Sequence, residues 1–284
     1  MGANHRSPRA RALCAALREA RIASGISQRE LGRLLSITYT NISLWENGHR
    51  VPSIETVAMI LAALRTSPDE RQRILDLARN ASERNWLTSG LAGVPQQLAG
   101  STECERAASR ITEWSPAIVP GLLQTPDYTR AIMTAGGRIA PDDVELRIMV
   151  RAGRREVITR VEPVEYLALI GENALYEPIG SPTARVHQLR HLADMAERPN
   201  IVVQIVPARI GWHPGLAGPF ILYDFPDASP VVYFEHHSSG AFVPDAHNVS
   251  EYRKAIEWIR EIARDPDESL ALVNRAAEEV EAAT

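Results

Sequence analysis

A short polar helix predicted at residues 38–47 carries the side chains best suited to reading another molecule. Ile42 and Trp45 point inward at i, i+3 spacing. The outward side holds Tyr39, Thr40, Asn41, Ser43 and Leu44. An asparagine amide can bond an adenine edge twice, and a threonine can contact a thymine methyl in the major groove, which is about 12 Å wide and admits one helix. We therefore predict that this helix reads double-stranded DNA, mainly through its first turn.

Groups suited to phosphate surround that helix in the sequence. Gln28 lies in the first turn of the preceding predicted helix, where backbone N–H groups favour anions. Further candidates follow the reading helix: Asn47, His49 and Arg50. A predicted basic arm precedes the first helix: Arg6, Arg9 and Arg11. We predict that these groups contact the DNA backbone.

Local start and stop signals divide the first 80 residues into five short helices. The predicted N-caps are Ser27, Thr38, Ser53 and Ser67. Glu30 follows Ser27 by three residues, which is the spacing of a capping box. Gly25 ends the first helix, predicted at residues 10–24, and Gly48 ends the third. Five short helices with a tight turn between the second and third are typical of a helix-turn-helix domain.

Length and charge indicate two domains of opposite character. The chain has 284 residues, enough for two domains of ordinary size. Residues 1–82 carry 12 arginines and no lysine against 7 acidic residues, whereas the remainder carries 19 basic and 28 acidic residues. A positive first domain can neutralise phosphates. No segment has the length of a membrane span or the pattern of a signal peptide, so we expect a cytoplasmic protein with no membrane partner. Cys14 and Cys104 are expected to be free thiols.

The rest of the chain is predicted to mix helices and strands. Strands are predicted at 164–170, 201–206, 220–225 and 230–235, the last two as a hairpin. Helices are predicted at 103–114, 125–134, 141–160, 186–197 and 249–264, and a last one after Asp265. We therefore expect an all-α five-helix DNA-binding domain at residues 1–82, a linker at 83–102, and an α+β domain with a small, mainly antiparallel sheet at 103–284.

The N-terminal motifs resemble a known DNA-binding family. Ser27 to Leu31, Ile37-Thr38, Ile42 to Gly48 and Pro52 are similar to the xenobiotic-response-element (Cro/repressor-like) domain over residues 11–78. Family members usually have Ala at Gly32 and Gly at Ser36; both departures keep a small residue. The resemblance implies an ion pair between Arg21 and Glu46, linking the first and third helices. It also implies that the protein binds DNA as a homodimer.

The C-terminal part resembles the antitoxin-like domain that accompanies this helix-turn-helix in many actinobacterial regulators. The most specific match is Ile118-Val119-Pro120-Gly121-Leu122-Leu123-Gln124-Thr125, followed by Tyr128. Arg154-Arg155 stands where the family often has Arg-Gln. The resemblance implies a regulator of development or secondary metabolism, often encoded beside a small partner protein that it binds. From the residues alone, the Pro120–Leu123 turn suits either core packing or a binding surface.

The sequence contains few patterns that are typical of an enzyme or a metal site. His187 and His191 have the i, i+4 spacing of metal ligands, but a solvated helix face explains them more simply, since no glutamate follows His187. No phosphate loop, nucleophile elbow or Cys/His pairing is present in the sequence. We expect no catalytic residue, no metal and no cofactor. The predicted function is a sequence-specific transcriptional regulator; the alternative is an antitoxin-like module that binds a small partner protein and autoregulates its operon.

Overall fold

The computed structural model describes residues 8–79, 86–89, 96–135, 141–235 and 239–283. They divide into two compact units. The N-terminal unit contains the described residues of Met1–Ala107, Asp227–Val231 and His236–Asp245. The C-terminal unit contains those of Ala108–Pro226, Val232–Glu235 and Ala246–Thr284.

The N-terminal unit begins with the predicted series of short helices. They are α1 (Pro8–Ala23), α2 (Gln28–Leu35), α3 (Tyr39–Glu46), α4 (Ile54–Ala63) and α5 (Pro68–Arg79). Their apolar faces meet in a core that includes Leu13, Leu31, Ile42, Leu61 and Ile74, all at most 1% exposed. Burial of these side chains is the main force that holds helices too short to be stable alone.

Three of the four predicted N-cap side chains make a capping hydrogen bond. The side chain of Ser27 accepts from the Glu30 N–H, that of Ser53 from the Thr56 N–H, and that of Ser67 from the Glu70 N–H. These predictions are confirmed. Thr38 occupies the N-cap position of α3, but its side chain makes no capping hydrogen bond. The start of α3 is therefore fixed by its packing and by the preceding turn.

The segment predicted as a linker, 83–102, contains regular structure. Strand β1 (Trp86–Ser89) pairs antiparallel with β7 (Ser239–Val243), and both belong to the N-terminal unit. Helix α6 (Gln96–Ala107) packs against α1 and carries Cys104 and Glu105 into full burial. The domain boundaries stay a prediction.

The C-terminal unit contains the remaining elements. Its strands are β2 (Arg110–Ser115), β3 (Glu165–Gly171), β4 (Ile201–Val206), β5 (Phe220–Asp224) and β6 (Val231–Glu235). Its helices are α7 (Pro126–Thr134), α8 (Pro141–Arg154), α9 (Glu156–Thr159), α10 (Asn173–Tyr176), α11 (Pro182–Ala196), α12 (Ala246–Ile262) and α13 (Pro266–Ala282). The four predicted strands and the helices near 125–134, 186–197 and 249–264 are confirmed to within a few residues.

The expected sheet of mainly antiparallel strands is wrong, because the sheet is mixed. In the order β6–β5–β2–β3–β4, β2 pairs antiparallel with β5 but parallel with β3, and β3 pairs parallel with β4. Long helical connections precede β3 and β4, and such crossovers allow neighbouring strands to run in the same direction. The error began at β2, which was predicted as the end of a helix. Its segment 110–115 is a strand because it is paired on both sides, which overrides local preference.

Candidate nucleic-acid interface

The turn between α2 and α3 sets the angle of the proposed reading helix. Ser36 ends α2 in the left-handed conformation, with φ at 55°. The Ile37 N–H then donates to the Gly32 carbonyl at 2.9 Å. Gly32 permits this close approach without crowding, since a Cβ there would lie 2.7 Å from the Ile37 carbonyl oxygen. Small residues at both positions therefore bring α3 against α2.

Helix α3 presents a clear inner and outer side. Ile42 is 1% exposed and Glu46 is 7% exposed, so they form the buried side. Tyr39 and Thr40 are exposed, whereas Asn41, Ser43 and Leu44 are half-buried. Trp45, predicted to point inward with Ile42, is also half-buried. The first turn of α3 is therefore its most accessible part, which is where recognition helices contact bases.

A buried carboxylate ties the end of α3 to α1 and α2. Arg21 donates to Glu46 through Nε to Oε1 at 2.6 Å and through Nη2 to Oε2 at 2.8 Å. Its third donor, Nη1, reaches the Ile26 carbonyl at 2.9 Å. The side chains are only 13% and 3% exposed, and this hydrogen bonding raises the pKa of Arg21. The predicted pair is thus present as a buried two-point contact, a geometry that fixes orientation as well as charge.

Gln28 completes the same cluster, which sequence reasoning did not foresee. Its Nε2 donates to Glu46 Oε2 at 2.8 Å, so the amide group turns toward the protein. The side chain is half-buried at the start of α2. Gln28 thereby holds the positive end of α2 beside α3, and the N-terminus of α2 stays a candidate phosphate site through its backbone. The signal that could have revealed this contact is the buried carboxylate of Glu46, which accepts two hydrogen bonds from Arg21 and a third from Gln28.

The other predicted contact residues lie on one stretch around α3. Asn47 is exposed and donates through Nδ2 to Ser43 Oγ at 3.1 Å. Arg50 is exposed, and its backbone N–H donates to the Leu44 carbonyl at 3.2 Å. The structure adds Arg29, whose guanidinium carbon lies 5.7 Å from the centre of the Tyr39 ring. Such a cation–π contact orders a positive group beside the first turn of α3.

The predicted basic arm before the first helix is partly wrong. Helix α1 begins at Pro8, so Arg9 and Arg11 belong to the helix itself. Arg11 is half-buried. Its charge acts on Cys104 of α6, although burial dominates there and raises the pKa of that thiol to about 12. Arg6 lies outside the described residues. Arg29 and Arg50, by contrast, are both exposed, and Arg29 lies beside Tyr39 of α3.

The described part of the chain contains neither a metal-ligand cluster nor a membrane-spanning helix. There, no group of three or more His, Cys, Asp or Glu side chains could hold a metal ion. His187 is exposed, while His191 is half-buried, and desolvation lowers the pKa of His191. The described helices include none with the length and apolar character needed to cross a membrane.

Two family models match parts of the chain. The model of the family described as "Domain of unknown function (DUF5753)" matches residues 98–275. A second model, described as "Helix-turn-helix" (HTH_3), matches residues 17–71, which contain α2 and α3. No curated protein matches the chain.

Among solved structures, similarity is found to TrmBL2, an archaeal chromatin protein that shows a novel mode of DNA binding. The identity is 12%, the alignment covers 88% of this chain and 92% of that chain, and the TM-score is 0.32. A similarity this weak carries no argument about fold or function.

Proposed function

This chain belongs to the family described as "Domain of unknown function (DUF5753)", and from its helix-turn-helix match and the geometry of α2 and α3 we propose that it is a sequence-specific transcriptional regulator. The observation that carries the proposal is the accessible first turn of α3 beside the N-terminus of α2. Tyr39 and Thr40 are exposed there, and Asn41 stands next to them. The helix-turn-helix match over residues 17–71 supports the DNA-binding part of this proposal.

In this proposal the side chains divide into base-reading and phosphate-contacting groups. Thr40 and Asn41 reach base edges, with Tyr39, Ser43 and Leu44 alongside them in the groove. The N-terminus of α2 at Gln28, together with Asn47 and Arg50, contacts the backbone on either side. This assignment is supported by the exposure of Tyr39 and Thr40 in the first turn of α3. Asn47 and Arg50, which follow the helix, are also exposed.

The reading role is tested with Asn41→Ala in the full chain. A binding site is first selected from random duplexes, and affinity is then measured by fluorescence anisotropy. We expect binding to the selected site to weaken by about 1–3 kcal/mol, the contribution of a good bidentate base contact, with little change on random DNA. Arg50→Gln should weaken both and lower the slope of log affinity against log salt by about one unit.

The matched controls are Asn173→Ala and Arg190→Gln, both exposed in the C-terminal unit. They should leave affinity and salt slope unchanged. Equal losses on selected and random DNA for Asn41→Ala would show that α3 is not the reading element.

We further propose that the regulator acts as a homodimer, because one helix reads too few base pairs for a unique site. The exposed side of α12 is the candidate contact. Trp258 is 44% exposed there and lies edge-on to Trp212, with ring centres 5.3 Å apart. Lys254 and Glu261 flank Trp258 on the exposed side. An antiparallel pairing of two copies about Trp258 would bring Lys254 of one close to Glu261 of the other.

Light scattering of the full chain tests the dimer. Wild type is expected to be dimeric at micromolar concentration, and Trp258→Glu is expected to be monomeric, whereas His187→Glu, at an exposed position of α11, is the control. A wild-type monomer, or a Trp258→Glu dimer, would contradict this contact. The antitoxin-like alternative and the role in development or secondary metabolism stay predictions. Co-elution with a small protein encoded nearby tests the first, and genome-wide mapping of binding sites tests the second.

A further inference from the structure

One face of the C-terminal sheet carries three rows of side chains with different character. Their registers follow from the pairing of β2 with β5 and β3 and of β3 with β4. The first row is charged: Asp224, Arg110 and Glu165. The second is mostly apolar: Leu222, Thr112, Leu167 and Val202. The third packs into the core: Phe220, Trp114, Leu169 and, at the edge, Gln204.

Helix α12 covers this face unevenly. Ile256 and Ile259 join Trp114, Leu169 and Phe220 in one buried cluster, which also includes Leu222, so the helix closes over the third row and the β5 end of the second. Over the first two rows a cavity of about 400 Å³ remains. In the middle of the second row Thr112 lies between Leu222 and Leu167, and all three residues line the cavity. The size is within the range of small-molecule sites.

The charged groups around the cavity differ in how well they are paired. Arg110 donates to Glu165 Oε2 through Nε at 2.8 Å and through Nη2 at 2.6 Å. Arg253 of α12 pairs with Asp224. Both carboxylates of the first row are therefore already engaged by guanidinium groups, which leaves them poorly suited to a second cation.

Arg260 is held much more weakly. Its Nη1 lies 4.0 Å from Glu257, and its Nε lies 3.5 Å from Gln204 Oε1. Both distances exceed those of good charge-assisted hydrogen bonds, which are about 2.7–2.9 Å. The guanidinium lines the cavity and can accept a closer anionic partner at little loss.

We propose that this cavity binds a small organic carboxylate, with the apolar body over Leu222, Thr112 and Leu167 and the carboxylate on Arg260. Apolar walls with a few convergent polar groups are the usual composition of such sites. Asp224 and Glu165 are already paired with guanidinium groups and so offer little to an amine, and the remaining carboxylate of the lining, Glu257, is largely solvated, with 69% of its side chain exposed. The inference does not rest on the proposed DNA-binding function, since every group named lies in the C-terminal unit.

The test uses the full chain with 3-phenylpropanoate as the probe, compared with 3-phenylpropan-1-ol and 3-phenylpropylamine. Binding is measured by calorimetry and by the shift in melting temperature. We expect the carboxylate to bind and to raise the melting temperature, with the alcohol and amine at least tenfold weaker. Arg260→Gln should weaken carboxylate binding about 10–100-fold, as for loss of a hydrogen bond to a charged group.

Val202→Trp provides a second arm, because Val202 is 38% exposed at the rim of the cavity and a larger side chain can fill it without entering the core. It should abolish binding, whereas Val202→Thr and Glu278→Gln, an exposed position of α13, should not. Equal binding of carboxylate, alcohol and amine, or unchanged carboxylate affinity in Arg260→Gln, would overturn the assignment of Arg260. Absence of binding by all three compounds, or unchanged binding in Val202→Trp, would overturn the site.

Discussion

The two turns that carry the chain's most specific motifs are held in opposite ways. The turn from α2 to α3 depends on small residues and backbone contacts at Gly32 and Ser36. The turn at Gly121–Leu123, a short 3₁₀ helix, depends on two buried glutamine side chains. Gln124 donates to the Val119 carbonyl at 2.7 Å, and Gln188 bridges the Leu123 carbonyl and the Thr125 N–H at 2.8 and 2.7 Å.

The difference shows where sequence information resides. The first turn is specified by neighbours within five residues, whereas Gln188 lies 63 residues beyond Thr125. The second turn also settles an open alternative, because Leu122 and Leu123 are at most 2% exposed. They pack in the core, so the turn Pro120–Leu123 does not present these leucines as a binding surface.

The largest expected effect is at the charged cluster that fixes α3 after the first turn. Glu46→Ala removes the acceptor of both Arg21 and Gln28 and leaves the Arg21 charge buried without it. Breaking such a pair typically costs about 3–5 kcal/mol. We expect amide hydrogen exchange in α2 and α3 to accelerate about tenfold for each 1.4 kcal/mol of this loss, while exchange in β2–β4 is unchanged.

The control for this variant is Glu30→Ala, which is exposed at the start of α2. It should affect exchange only slightly. If amide exchange in α2 and α3 were as slow in Glu46→Ala as in wild type, the ion pair would contribute nothing to their stability. Backbone packing alone would then fix the first turn.

A smaller loss is expected at the glutamine clamp of the second turn. Gln188→Ala leaves the Leu123 carbonyl and the Thr125 N–H without their partner. Each unpaired buried group costs about 1–3 kcal/mol. We expect about 2–3 kcal/mol in total, since Thr125 is only half-buried and water can reach it. Urea unfolding of the full chain, followed by circular dichroism, measures the change in unfolding free energy.

Arg190→Ala is the matched control, because it lies on the same helix α11 and makes only an exposed ion pair with Glu281. Exposed pairs of this kind contribute about 0–1 kcal/mol. If the two variants unfolded alike, the turn would be held by its leucines and not by the clamp.

The same contrast explains what could be predicted from sequence. The caps at Ser27 and Ser53 act three residues away, so α2 and α4 were predicted closely. Strand β2 was missed because its identity comes from pairing with β3 and β5, more than 50 residues distant. In the candidate site, the exposed first turn of α3 followed from helical periodicity. The inward contact of Gln28 and the stacking of Arg29 on Tyr39 did not, because both require the packed arrangement of α2 and α3.

The smallest effects come from adding one methyl group to the glycine of each turn. Gly32→Ala places a Cβ 2.7 Å from the Ile37 carbonyl oxygen, whereas Gly121→Ala meets no atom within 4 Å. Forced crowding costs about 1–3 kcal/mol, and alanine returns about 1 kcal/mol of helix propensity in α2. We therefore expect Gly32→Ala to lose about 1 kcal/mol of unfolding free energy and Gly121→Ala to stay within about 0.5 kcal/mol of wild type.

Ser36 offers a way to sharpen this last comparison. A non-glycine residue in the left-handed region costs about 1–2 kcal/mol, so Ser36→Gly relaxes the turn that Gly32→Ala crowds. The double variant has the alanine and glycine that the resembling family usually carries at these positions, and it should recover the loss of Gly32→Ala in urea unfolding. Ser36→Gly should not change the effect of Gly121→Ala, because the two turns belong to different compact units. If the double variant were no more stable than Gly32→Ala alone, the left-handed conformation of Ser36 would not strain the first turn.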